Sequence, residues 1–203
     1  MSYLSDGGEE RIPAILATNV LTRLVQLLLH ENIAISVPCL RTIGNLVTGD
    51  DNQTQYVINS GALEALNNII YNKKKTIRKE VCWSLSNITA GNSVQIQQCI
   101  DLGLVDKLIY VLENDDPEIK KEAVWAVSNL TANSTFEQFT FLVEKGILKA
   151  LVSVLQMKEP RVLAVALEGI ENILKAGKLH YGEVSPILLM YLVLKRKQVH
   201  SLA

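Results

Sequence analysis

The chain has few of the residues that mark most other fold classes. Aromatic residues are 5% of its 203 residues, and glycine and proline number only 11 and 5. These counts are too low for a sandwich of short strands joined by tight turns. Hydrophobic residues make up 48% and charged residues 20%, so the chain can form a continuous core and is not disordered by composition.

Patterns typical of enzymes and metal sites are also missing. The three cysteines, Cys39, Cys82 and Cys99, are odd in number, lie in apolar stretches and form no C-x-x-C motif, so we expect buried free thiols. There is no glycine-rich phosphate loop, nucleophile elbow or metal-ligand spacing, and the histidines have no partner pattern. We therefore expect no enzyme, no metal and no other cofactor.

The charges and the hydropathy exclude two further classes. Basic and acidic residues number 20 and 21, for a net charge of -1, whereas a nucleic-acid binder more often has a basic excess. No signal peptide opens the chain, and the apolar stretch 187–194 is too short to cross a membrane. We expect a soluble intracellular protein without a nucleic-acid or membrane partner.

The chain contains an internal repeat of about 42 residues. Asparagines in similar contexts stand at positions 45, 87, 129 and 172, with spacings of 42, 42 and 43. Glycines at positions 61, 103 and 146 run in phase with them, and Asn19 takes that place in the first unit. Glycine, or failing that asparagine, adopts the left-handed conformation that ends one helix before the next begins.

Each unit reads as three helices, which in the second unit cover roughly residues 53–60, 62–71 and 76–89. Three helices in about 42 residues are typical of armadillo repeats, whereas HEAT repeats of similar length have two. We predict an all-α armadillo-repeat superhelical solenoid whose stacked units share one core. The predicted organisation is a partial unit at 1–7, four units at 8–49, 50–91, 92–133 and 134–177, and a divergent, partly helical tail at 178–203.

The third helix of each middle unit carries polar and aromatic side chains opposite its apolar stripe. In the second unit the stripe is Ile77, Val81, Leu85 and Ile88. At 100° per residue, Trp83 points away from this stripe and shares its own face with Glu80 and Asn87. The third unit repeats the pattern, with Glu122, Trp125 and Asn129 opposite Ile119, Ala123, Val127 and Leu130.

This combination suits an extended peptide that is rich in lysine or arginine. An indole face attracts cations and covers methylene chains, an asparagine amide both donates and accepts hydrogen bonds, and glutamate pairs with a basic head group. Two alternatives stay open: the asparagines form a ladder inside the solenoid, or the tryptophans pack against a neighbouring unit. A generic armadillo scaffold for signalling or adhesion partners is the rival function.

At these residues the sequence resembles the armadillo repeats of importin-α (karyopherin-α), the adaptor for nuclear localisation signals. The segments 80–91 and 122–129 are similar to its Trp/Asn repeats, 41–51 resembles the unit where arginine replaces tryptophan, and 2–7 resembles the unit before it. The resemblance covers residues 2 to about 177 and is to the C-terminal half, which carries the minor peptide site.

The resemblance implies specific contacts. Trp83 and Trp125 would sandwich basic side chains, Asn45, Asn87 and Asn129 would bind the peptide backbone, and Glu80 and Glu122 would pair with basic heads. Arg41 would break the aromatic array. The remaining matches to groove positions are Tyr3, Asp6, Val47, Thr48, Asp51, Thr54 and Ser86.

The resemblance also implies partners and a location. Cargo proteins that bear nuclear localisation signals would bind the groove, and full-length members also bind importin-β and the nuclear export receptor, in the cytoplasm and the nucleus. An importin-β-binding segment is not found in these residues. The stretch 183–203 does not resemble the family's next repeat, since its Lys195-Arg196-Lys197 is basic where an acidic stretch is expected.

Overall fold

The computed structural model describes residues 5–6 and 10–181 of the chain, and within them it contains helices joined by turns and no β-strand. The α-helices are α1 Arg11–Leu16, α2 Leu21–Leu28, α3 Ile33–Leu46, α4 Asp51–Val57, α5 Leu63–Ile69, α6 Lys75–Thr89, α7 Ser93–Asp101, α8 Leu104–Asn114, α9 Pro117–Asn129, α10 Phe136–Lys145, α11 Ile147–Ser153 and α12 Pro160–Tyr181. A π-helical segment, Ile58–Ala62, joins α4 to α5, and a 3₁₀ turn, Val154–Gln156, follows α11. The prediction of an all-α fold is confirmed.

The helices fall into four successive groups of three: α1–α3, α4–α6, α7–α9 and α10–α12. This confirms three helices per repeat. Of the predicted partial unit at 1–7 only residues 5–6 are described, and of the predicted tail at 178–203 only the end of α12. The rest of both segments, including Tyr3, lies outside the described residues.

Left-handed residues separate the first two helices of each group. Gly61, Gly103 and Gly146 have φ values of 87°, 67° and 91°, and Asn19 has a φ of 56°. An L-residue with a Cβ is strained in this region, and asparagine tolerates it better than most. The four helix-terminating positions expected from the sequence are therefore confirmed.

Capping boxes set where the first helix of three units begins. A short polar side chain accepts a hydrogen bond from the backbone three residues on, and the glutamine there bonds back to the cap's N–H. The three pairs are Asp50–Gln53, Asn92–Gln95 and Thr135–Gln138. Each box satisfies two otherwise unpaired backbone groups at the helix start. Two of these glutamines also reach the preceding unit, since Gln95 donates to the Asp51 carbonyl and Gln138 to the Ser93 carbonyl.

The third helices of successive units, α3, α6, α9 and α12, pack side by side. Their apolar stripes join the first and second helices in one hydrophobic cluster that runs from Ile12 to Ile173. The predicted stripe residues of α6 and α9 are buried, which confirms the orientation of both helices. Each fully buried aliphatic side chain contributes roughly 1.5–3 kcal/mol by removal from water. The apolar stripe of α6 and that of α9 therefore face the core, and the opposite side of each of these helices is not part of the hydrophobic cluster.

The three cysteines lie within this core as free thiols. Burial raises the pKa of Cys39 and Cys82, and it raises the pKa of Cys99 to about 12. A thiol that stays protonated is a poor nucleophile. The expectation of buried free thiols is confirmed, and the cysteines have a packing role.

Candidate functional site

A cleft of about 390 Å³ lies along the third helices α3, α6 and α9, on the side that faces away from their apolar stripes. Its lining residues are Asp6, Arg41, Asn45, Lys79, Glu80, Trp83 and Glu122. We call this cleft, together with Trp125 one turn beyond Glu122 on α9, the tryptophan groove. Six of the predicted site residues therefore line one cleft, although they come from the partial unit at 1–7 and from the three units that follow it.

Trp83 lies against the preceding unit and is half-buried. A Cβ added to Gly44 of α3 would come within 2.2 Å of Trp83 Cζ3 and 2.7 Å of Cε3. The six-membered part of the indole therefore occupies the space that a side chain at position 44 would fill. One of the alternatives that the sequence left open, packing of tryptophan against a neighbouring unit, thus holds for Trp83.

Trp125 has a different environment. It keeps 44% of its surface exposed, and it is the exposed tryptophan of the two. The residue one repeat after Gly44 is Ser86, which is buried and donates its hydroxyl hydrogen to the Trp83 carbonyl at 2.7 Å. The indole of Trp125 is therefore the larger free aromatic surface of the groove.

Arg41 and Glu80 form an ion pair between neighbouring units. Arg41 Nε donates to Glu80 Oε1 at 2.8 Å, with the side chain of Glu80 13% exposed and that of Arg41 55% exposed. The carboxylate of Glu80 is therefore already neutralised within the chain. The expectation was that Glu80 pairs with a basic ligand. In this structure its carboxylate pairs instead with Arg41, the residue at the tryptophan position of the first unit.

Glu122 is a groove carboxylate that lacks such a partner, since it takes part in no ion pair within residues 5–6 and 10–181. Burial raises its pKa, and the negative charge of Glu80 adds to the rise, while Lys79 and Lys121 act in the opposite direction. A partly buried carboxylate that is not fully compensated is stabilised when a cation binds beside it. The electrostatics of the groove thus favour a basic ligand at Glu122.

The register asparagines donate hydrogen bonds to the preceding unit. The Nδ2 groups reach the following acceptors: Asn45 to Ser5 Oγ at 3.0 Å, Asn87 to the Gly44 carbonyl at 3.1 Å, Asn129 to the Ser86 carbonyl at 2.9 Å and Asn172 to Thr131 Oγ1 at 3.2 Å. This is the ladder inside the solenoid that the sequence left open. An amide has two N–H donors and a carbonyl acceptor. The ladder bonds of Asn87 and Asn129 therefore each use one donor and leave groups for a ligand backbone.

Three of the predicted site residues have buried side chains. Val47 is 2% exposed and belongs to the core cluster, and Thr54 is buried with its hydroxyl directed to the Val47 carbonyl. Ser86 is also buried, as described above. Val47 directly follows α3, Thr54 lies within α4 and Ser86 lies within α6, and all three side chains face the packed interior.

Two further predicted site residues, Thr48 and Asp51, are exposed. Thr48 donates its hydroxyl hydrogen to the Asn45 carbonyl at 2.8 Å, and Asp51 accepts from Asn92 Nδ2 at 3.0 Å.

Lys79 lines the groove but was not predicted from the sequence. It stands four positions before Trp83, so the helical periodicity that assigned Glu80 and Asn87 to this face could also have identified it.

Two classes of site are not found where the structure describes the chain. No group of three or more His, Cys, Asp or Glu residues is arranged to hold a metal ion there. In the same residues, every helix is too short or too polar to span a bilayer.

Comparisons with known proteins point to one family. The family model for the armadillo/beta-catenin-like repeat matches residues 50–90 and 92–132. Importin subunit alpha-1b of Oryza sativa subsp. japonica is 52% identical over 179 residues, and importin subunit alpha-7 of Arabidopsis thaliana is 59% identical over 179. The matches cover 88% and 87% of this chain and 34% of each relative. The chain thus spans about a third of the length of the curated relatives it matches.

Solved structures agree on the fold. A designed armadillo repeat protein is 29% identical with a TM-score of 0.80, covering 91% of this chain and 83% of the design. A second design, solved in complex with the peptide (KR)4, is 27% identical with a TM-score of 0.80, covering 95% of this chain and 87% of the design. The backbone of the described residues is therefore that of an armadillo-repeat array.

Proposed function

Because the chain belongs to the importin alpha family of armadillo-repeat proteins, we propose that it is part of a nuclear import adaptor. In this proposal the tryptophan groove binds Lys/Arg-rich nuclear localisation signals of cargo proteins as extended peptides. The groove corresponds to the minor peptide site in the C-terminal half of the family. In this proposal the protein acts in the cytoplasm and the nucleus.

The observation that carries this proposal is the ion pair between Arg41 and Glu80, which are 39 positions apart. Arg41 stands at the register of the tryptophans, and Glu80 belongs to the next unit. Trp83 and Glu122 are also 39 positions apart and line the same cleft. Because the repeat places both pairs in the same relation, a cation held on Trp83 would meet Glu122 as Arg41 meets Glu80.

The aromatic surfaces supply the second part of the site. A basic side chain that enters between Trp83 and Trp125 covers its methylenes with indole and brings its charge near Glu122. A cation over an indole contributes about 0.5–2 kcal/mol, depending on how far it is desolvated. Because Trp125 is the more exposed of the two indoles, we expect it to contribute more than Trp83 to the binding free energy.

The peptide backbone is held by the asparagines in this proposal. Asn87 and Asn129 each retain one N–H and the side-chain carbonyl after the ladder bond is made. Paired donor and acceptor groups at one-repeat spacing bind an extended chain whatever its side chains are. Asn45, Thr48, Asp51 and Asp6 are further proposed contacts at the exposed edge, whereas Val47, Thr54 and Ser86 offer a ligand little side-chain surface, because they are buried.

The charge of the groove separates this function from that of a generic scaffold for acidic partners. The cleft is lined by the carboxylates of Asp6, Glu80 and Glu122 and by the cations of Arg41 and Lys79. Arg41 and Glu80 neutralise one another, so the remaining charge is not basic. The similar design solved with (KR)4 binds the same class of peptide on the same kind of backbone, which supports the proposal.

Isothermal titration calorimetry with (KR)4 tests the proposal. We expect saturable binding that weakens as salt is added, because charge pairing at Glu122 is screened. Trp125→Ala should weaken binding by about tenfold or more, as truncation of an aromatic anchor does. Tyr56→Ala is the matched control, since Tyr56 is an aromatic residue that is 51% exposed outside the groove.

The absence of heat at peptide concentrations of hundreds of micromolar would contradict the proposal. So would equal losses from Trp125→Ala and Tyr56→Ala. Importin-β and the nuclear export receptor remain proposed partners of full-length family members.

A further inference from the structure

A second surface of the molecule carries exposed aromatic rings and unpaired lysines. A cleft of about 490 Å³ between the second and third units is lined by Tyr71, Lys73, Arg78, Tyr110, Asn114 and others, none of which lines the tryptophan groove. We call the residues Tyr71, Lys73, Lys74, Lys107 and Tyr110 the tyrosine–lysine surface. It lies where the second helices α5 and α8 meet the turns that follow them.

The two tyrosines are not required for stacking of the units. Tyr71 is 50% exposed and Tyr110 is 57% exposed, and their rings meet edge to face at a centroid distance of 5.5 Å. One repeat later, their positions are taken by Glu113 and Ser153. A core residue recurs with the repeat because every unit must bury it. This aromatic pair does not recur, so the shared core does not account for it.

The floor of the cleft is rigid. Arg78 holds Asp115 with two hydrogen bonds, Nε to Oδ2 at 2.7 Å and Nη2 to Oδ1 at 2.8 Å, and both side chains are largely buried. Arg78 Nη1 also donates to the carbonyl of Asn72 at 2.8 Å. The turn that presents Lys73 and Lys74 is therefore fixed before any partner arrives, which reduces the entropy lost on binding.

The surface is basic because the carboxylates next to it, Asp115 and Asp116, already form ion pairs within the chain. Asp115 pairs with Arg78, and Asp116 pairs with Lys75 at 3.0 Å. Within the described residues Lys73 and Lys74 are exposed and have no carboxylate partner. Lys107 lies 5.7 Å from the centroid of the Tyr71 ring and donates to the Asn67 carbonyl, so its charge is also not cancelled by an acid.

We propose that the tyrosine–lysine surface docks an acidic peptide segment of a partner protein, with an apolar side chain against Tyr71 and Tyr110 and carboxylates on Lys73 and Lys74. Tyrosines suit this role because their rings cover apolar side chains while their hydroxyls donate to carboxylates. Single-stranded nucleic acid is disfavoured for two reasons. The Tyr71 ring already contacts Tyr110 and Lys107, which limits stacking of a base on it. The surface also has few cations to bind a phosphate backbone. The surface and the groove therefore select ligands of opposite charge.

Fluorescence anisotropy with a fluorescein-labelled, N-acetylated peptide Glu-Glu-Leu-Phe-Glu-Glu tests this inference. We expect saturable binding to the full chain and a loss of about tenfold for Tyr110→Ala and for the double variant Lys73→Glu/Lys74→Glu. The matched controls, Tyr56→Ala and Lys158→Glu, change exposed residues elsewhere and should keep the affinity. Trp125→Ala should also keep it, because that indole belongs to the groove.

Three results would overturn the inference. The first is no saturable binding, and the second is an equal loss in the control variants or in Trp125→Ala. The third is displacement of the probe by oligouridylate at lower concentration than by the unlabelled peptide, which would assign the surface to nucleic acid. The folding of Tyr110→Ala is checked by its circular dichroism, and its half-exposed side chain leaves the core unchanged.

Discussion

Trp83 and Trp125 occupy the same position of consecutive repeats, but their surroundings differ. Trp83 lies on Gly44, next to the neutralised Arg41–Glu80 pair and Lys79. Trp125 is 44% exposed and stands one turn after Glu122, which has no ion pair in the described part of the chain. The difference shows that repeat register sets the direction of a side chain, while the neighbouring unit decides whether it packs or stays available.

The comparison predicts that Trp83, which packs on Gly44, contributes more to stability, whereas Trp125, which keeps 44% of its surface exposed, contributes more to ligand binding. Experiments on stability therefore separate the two indoles more sharply than experiments on binding alone.

Removal of each indole should have unequal effects on folding. We expect Trp83→Ala to lower the free energy of unfolding by about 2–3 kcal/mol, because a half-buried indole leaves a cavity against α3. Trp125→Ala should lower it by less than about 1 kcal/mol, as for other exposed positions. Urea denaturation of both variants measures the difference, and similar losses in the two would show that the indoles are equivalent in the fold.

A methyl group at position 44 should act through Trp83. We expect Gly44→Ala to cost about 1–2 kcal/mol, since the added Cβ would lie within 2.2 Å of the indole and overpacking has this magnitude. In a Trp83→Ala background the same change should cost less, and the remaining cost should come from Ser84 Oγ, which would lie 2.8 Å from the added Cβ. A double-mutant cycle from thermal denaturation measures this coupling.

Ser86→Ala is the matched control for this cycle, because it changes the residue one repeat after Gly44 without adding volume. If Gly44→Ala costs the same with and without the indole, the contact does not determine the packing of Trp83.

Neutralising the two glutamates should shift stability in opposite directions. The folded-state pKa of Glu122 is raised, so the stability this group contributes is complete at low pH and is lost as pH rises through that pKa. Glu122→Gln should therefore stabilise the protein at neutral pH by less than about 1 kcal/mol, and the gain should vanish on acidification. Melting temperatures of both variants between acidic and neutral pH provide the measurement.

Glu80→Gln is the comparison, because it removes the charge of the ion pair with Arg41 and should destabilise the protein slightly. An equal effect of the two substitutions, or a gain for Glu122→Gln that persists at acidic pH, would contradict the assigned difference. The same Glu122→Gln variant should bind (KR)4 more weakly, so the carboxylate that weakens the fold is the one that serves the ligand.

Much of the architecture follows from spacing alone. The repeated asparagines and glycines predicted the helical units and the left-handed residues at Gly61, Gly103 and Gly146, and the stripe at Val81 and Leu85 predicted which side of α6 faces the core. These features depend on local periodicity and on the backbone preferences of single residues, so one sequence is sufficient to identify them.

The groove was predictable only in part. Helical periodicity identified the face that carries Trp83 and Glu122, but it did not indicate that Val47 and Thr54 are buried, because burial near a helix end depends on contacts with other elements. The pairing of Arg41 with Glu80 joins residues 39 positions apart, and no local pattern indicates which carboxylate a long arginine side chain reaches.

Local sequence patterns were enough to identify the repeat, the helix ends and the side of each third helix that can meet a ligand, because those depend on neighbours within a few residues. Which of the equivalent side chains can contact a ligand depends instead on how the units stack. Stacking brought Gly44 beneath Trp83, placed Arg41 on Glu80 and left Glu122 and Trp125 without such neighbours. These differences arise between units, where contacts join residues about one repeat apart.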